Sequence, residues 1–82
     1  MLPVVSEHLS KAFGLAVRRR REENGLSQEN LAAQAGIHRT YVSSIERGKV
    51  RLGLDIAQKV AAGLGVPLHE LIKDVETEEG ST

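Results

Sequence analysis

The side chains between Arg39 and Arg51 supply positive charge and hydroxyl groups, and no nucleophile–base pair. Arg39, Thr40, Ser43 and Ser44 fall mostly on one side of a helical repeat whose other side carries Val42 and Ile45. Arg47, Lys49 and Arg51 follow at once, so the cations cluster around one surface. Guanidinium, ammonium and hydroxyl groups in such an array bind phosphate oxygens and base edges. Neither a phosphate loop nor a metal box accompanies them: cysteine is absent, and His8, His38 and His69 are scattered. The sequence is therefore not expected to encode an enzyme, or to need a metal or cofactor.

Charge distribution agrees. The formal net charge is zero, yet residues 1–51 hold nine basic side chains against five acids, a balance of +4. Residues 52–82 hold Lys59 and Lys73 against six acids, a balance of −4. Such asymmetry points to nucleic acid, although ordinary solvated helix faces produce it too. At 82 residues and 40% hydrophobic composition the chain has room for one core, built from Leu, Ile, Val and Ala, because Phe13 and Tyr41 are its only aromatics. No apolar run approaches the roughly 20 residues that span a bilayer, and residues 1–5 are too short for a signal peptide. Without cysteine, a reducing, cytoplasmic setting is the expectation.

The elements that must position these groups are all helical. Turn signals at Asn24-Gly25, Ala35-Gly36, Arg47-Gly48, Gly53 and Gly65-Val66-Pro67 divide the chain into five segments of helical length. The first runs from about Glu7 to Glu23, capped by Ser6, with Leu9, Phe13, Ala16 and Val17 inward. Ser27 opens the second, whose inner face is Leu31, Ala32 and Ala35; Asn30 makes a reciprocal capping box weak. The third covers about Arg39 to Arg47 and the fourth about Leu54 to Leu64, where Gly63 marks a weak or fraying end. A fifth begins near Pro67 and presents Leu68, Leu71, Ile72 and Val75. The expected division is an N-terminal arm over 1–5, a domain over 6–75 and an acidic, disordered tail over 76–82.

Two short helices separated by Gly36-Ile37-His38 have the spacing of a helix-turn-helix, in which the second helix stands proud enough to enter a major groove. The runs Gly25-Leu26-Ser27-Gln28, Leu31-Ala32, Ala35-Gly36 and Ile45-Glu46-Arg47-Gly48 resemble the phage-repressor-like Xre family of helix-turn-helix proteins. The resemblance covers about Phe13 to Ile72. Arg39-Thr40-Tyr41 is similar to small controller proteins of restriction–modification systems. It implies a five-helix, lambda-repressor-like, all-α domain that regulates transcription on double-stranded DNA.

Residue roles follow from that resemblance. Gln28 resembles a phosphate-anchoring glutamine. Arg39 and Thr40 would read bases, with Ser43 and Ser44 reaching them more weakly or through water. Arg47, Lys49 and Arg51 would meet phosphates. Tyr41 either fills core space or bonds phosphate, the second being favoured. His38 stands where relatives cap the third helix with an oxygen, so a cap or backbone contact is expected, with phosphate as the alternative. Arg21 and Glu46 would form a structural salt bridge, while Arg18, Arg19 and Arg20 spread around the first helix.

A domain this small makes few base contacts, so a homodimer on a palindromic operator is expected. Leu68, Leu71, Ile72 and Val75 are the candidate interface, joined by Leu52, Val66 and the arm, unless the monomer buries them. Glu70, Asp74 and Glu76 are candidates for an RNA polymerase contact. The alternative is an antitoxin-like or adaptor module that keeps the fold and binds protein instead.

Overall fold

Short-range rules account for most of the architecture. The computed structural model describes the chain over residues 5–80, with side chains over 8–78. Five helices follow in order: α1 Val5–Glu23, α2 Gln28–Ala35, α3 Arg39–Glu46, α4 Leu54–Gly63 and α5 Leu68–Gly80. No strand occurs among the described residues. The helix starts and stops lie where the turn signals put them, with two exceptions. α1 begins at Val5, ahead of Ser6, so Ser6 is not the residue before the helix. α5 continues to Gly80, so residues 76–80 of the expected disordered tail are helix. Residues 1–4 of the expected arm lie outside the described residues.

The reason for the longer α5 is electrostatic. Its last turns carry no apolar stripe, but Asp74 and Glu78 stand one turn apart and face the consecutive arginines of α1. Arg20 forks onto Asp74, with Nη2 3.3 Å from Oδ1. Arg19 Nη1 lies 2.9 Å from a Glu78 oxygen, and that glutamate is only 8% exposed. Two ion pairs thus hold the end of α5 against α1, where hydrophobic periodicity alone gives no reason for it to stay.

The core is aliphatic apart from Phe13. Ala12, Phe13, Ala16 and Val17 of α1 meet Leu31 and Ala32 of α2, Val42 and Ile45 of α3, Val60 and Ala61 of α4, and Leu71 and Val75 of α5. Leu9, expected inward, is exposed. Two glycines set how closely the helices approach. A Cβ on Gly14 would lie 2.3 Å from the Ile45 carbonyl oxygen, so α3 rests on bare α1 backbone. A Cβ on Gly63 would lie 3.0 Å from Ala35 Cβ. Gly63 is therefore a buried contact between α4 and α2, and not a frayed end.

Candidate nucleic-acid interface

The turn before α3 is made by Gly36, at φ 73° and ψ 32°, a left-handed conformation in which any Cβ would be strained. Its N–H and that of Ile37 both close onto the Ala32 carbonyl. The chain then enters α3 through His38, whose side chain makes no cap hydrogen bond. The expected cap is absent: His38 Nδ1 lies 3.1 Å from Thr40 Oγ1 instead. Ser27, by contrast, caps α2 by accepting from the Asn30 N–H at 3.0 Å, and its hydroxyl donates to Asn30 Oδ1 at 2.7 Å.

With Val42 and Ile45 buried, the opposite side of α3 is necessarily outward. Arg39 and Thr40 are exposed, and Ser43 and Ser44 are half-buried. Tyr41 is half-buried with its side chain packed against the core, as the core-filling reading expects. Arg47, Lys49 and Arg51 are exposed beyond the helix; Arg47 Nε donates to the Ser43 carbonyl at 3.4 Å.

Arg21 and Glu46 join this assembly to its support. Arg21 Nε and Nη2 donate to Glu46 Oε2 and Oε1 at 2.6 and 3.1 Å, and Arg21 Nη1 donates to the Leu26 carbonyl at 2.8 Å. The side chains are 12% and 4% exposed. Gln28 Nε2 also donates to Glu46 Oε1, at 3.1 Å. One carboxylate thereby ties the end of α1, the start of α2 and the end of α3. The Glu46 hydrogen bond raises the Arg21 guanidinium above the ordinary arginine value, and burial partly opposes the rise. An amide nitrogen has two hydrogens, so Gln28 is oriented by Glu46 and keeps one for another acceptor.

Ion pairing separates the arginines that look alike in the sequence. Arg18 bonds Glu22 at 3.0 Å, Arg19 bonds Glu78, Arg20 bonds Asp74 and Arg21 bonds Glu46. The four-arginine run is thus matched by carboxylates. Among the described residues, Arg39, Arg47, Lys49, Arg51 and Lys11 have no ion-pair partner. Asp74, one of the acids expected to meet polymerase, is paired with Arg20.

The candidate dimer residues need correction. Leu71 is 0% and Val75 4% exposed, and Leu68 is half-buried against the core, so the monomer itself absorbs them. Ile72 alone of the four is outward, at 38%. It borders an apolar groove of about 360 Å³ with Leu9, Phe13, Leu52, Leu54 and Arg51. Leu54 is 77% exposed. Sequence periodicity misses it because an apolar residue at the first position of a helix reads as core.

The helix-turn-helix family model matches residues 17–71. The control protein C.MunI of a Mycoplasma species is 48% identical over 67 residues, covering 80% of this chain and 90% of its own length. Among solved structures, the restriction–modification controller protein C.AhdI of Aeromonas hydrophila superposes with a TM-score of 0.73 at 39% identity, covering 76% of this chain and 94% of that one. The controller protein C.Esp1396I, solved as a tetramer with its natural 35 base-pair operator, gives a TM-score of 0.81 at 28% identity, covering 87% and 93%.

Proposed function

The chain belongs to the Xre-type helix-turn-helix family, and from that premise we propose that it is a homodimeric, sequence-specific transcriptional regulator of the restriction–modification controller kind, setting α3 into the major groove of a palindromic operator. The observation that carries the reading is the outward pair Arg39 and Thr40, backed by a buried Val42–Ile45 face and flanked by Arg47, Lys49 and Arg51, which have no ion-pair partner among the described residues. Arg39 can fork onto O6 and N7 of guanine, and Thr40 can bond a base or meet a thymine methyl. Ser43 and Ser44 reach bases through water. Gln28, held by Glu46, offers its second amide hydrogen to a phosphate. His38, just before α3, and Tyr41, within it, contribute contacts to the DNA backbone.

Self-association is supported by the groove of Leu9, Leu52, Leu54 and Ile72, an apolar surface that water covers at a cost. Selection of bound sequences from random duplex DNA tests the reading: a palindrome with half-sites about one helical turn apart is expected. Failure to retain any duplex at low ionic strength would refute it. The same groove favours the rival adaptor reading, which salt-insensitive binding of a protein partner without duplex binding would establish.

A further inference from the structure

Outside the helix-turn-helix, the first half of α1 and the loop after α3 flank an open cleft of about 500 Å³. His8, Ser10 and Lys11 line it from α1; Lys49, Val50 and Arg51 line it from the loop. The two sides are held in register at Gly48, where a Cβ would lie 3.0 Å from Lys11 Cα and φ is +68°. A glycine is needed there both for the left-handed turn and for the closeness of α1. The Lys49 N–H donates to the Ser44 carbonyl at 3.0 Å, fixing the loop to α3 as well.

We propose that this cleft binds a backbone phosphate of the duplex, extending the contact surface from α3 and its loop onto α1 through Lys11 and His8. The inference rests on the DNA-binding reading above and adds two residues that lie outside the recognised motif. No described carboxylate lines the cleft, and Lys11, Lys49 and Arg51 have no ion-pair partner among the described residues. Like charges gathered at one cleft repel one another, a cost that a bound anion reduces. The contrast lies along the same helix: Arg18 to Arg21 each have a carboxylate, whereas no carboxylate among the described residues pairs with Lys11. The loop is shared with the flank of α3, so an anion held in the cleft lies next to the strand that α3 approaches. Lys11 then behaves as a positioning contact that carries no sequence information.

Lys11→Gln is the test, because glutamine keeps the Cβ and Cγ that pack under Gly48. Binding of the full-length chain to a duplex recovered by wild-type selection, and to an unrelated duplex, is followed by anisotropy between 50 and 200 mM salt. The log–log salt slope should flatten by about 0.9 per bound protomer, so the deficit of the variant shrinks about threefold across that range on both duplexes. His8→Gln should weaken both duplexes alike, and Lys73→Gln, an exposed lysine on α5, should change neither. If wild type binds with its full slope and Lys11→Gln keeps that slope, the inference is overturned while the DNA reading stands. If wild type binds no duplex, the DNA reading itself falls and the cleft with it. An unchanged slope together with shifts of the His8 and Lys11 resonances on adding inorganic phosphate would replace the duplex phosphate with a free anion, and also overturn it.

Discussion

At the scale of single residues, pairing decides what a charge can do. Arg39 stands free on α3, so its loss should be felt by one base pair rather than by the fold. Arg39→Ala is expected to relax preference at one symmetric operator position by about 1–3 kcal/mol, read from competition among operator variants. Uniform weakening across all sequences would demote Arg39 to a phosphate contact. Glu46 is the opposite case, nearly covered and accepting from both Arg21 and Gln28. Glu46→Ala leaves Arg21 mostly covered, with only Glu22 at 3.9 Å as a counter-charge, so unfolding in urea should show a loss of about 1–3 kcal/mol. A loss below about 1 kcal/mol would show that the network adds little. The Arg21 guanidinium, raised above its ordinary value by Glu46, keeps its proton up to strong alkali, where the stability it contributes is lost.

At the scale of elements, closeness is set by absent side chains. Gly14 lets α3 rest against α1 backbone at the Ile45 and Glu46 carbonyls. Gly14→Ala suits an isolated α1, since alanine favours helix by about 1 kcal/mol. In the folded chain it forces α3 outward, with the overpacking of a tight core costing about 1–3 kcal/mol. The expected outcome is a lower melting temperature together with weaker DNA binding, because the tilt of α3 changes. A higher melting temperature would mean that the two helices separate freely. α5 teaches a related lesson. Its last turns are held by Asp74 and Glu78 against Arg20 and Arg19, so ion pairs with α1 support turns that carry no apolar stripe.

At the scale of the whole molecule, the question is which apolar groups one small core leaves outside. Leu71 is buried and Leu54 is not. Leu54→Asp should therefore give a folded monomer at micromolar concentration, with helical circular dichroism intact and a halved sedimentation mass. An acidic side chain in the first turn of α4 even suits the helix dipole. Leu71→Asp should instead unfold the chain. A Leu54→Asp protein of undiminished mass would remove the groove from the dimer proposal.

Much of the fold and of the candidate interface is legible in the residues themselves. Periodicity, caps and left-handed turns act over a few residues, so Ser27, Gly36 and the Val42–Ile45 stripe are enough to define α2, the turn and α3. The outward side of α3 follows from its inward side. What a sequence does not contain is the partner of each long-range contact. Only tertiary packing decided that Arg19, Arg20 and Arg21 are matched by carboxylates of α5 and α3, that Leu71 is absorbed and Leu54 left out, and that Gly63 is a contact. Those outcomes depend on residues that lie far apart along the chain and become neighbours only when the helices pack. Burial and charge pairing are properties of the assembled surface, which no local pattern specifies.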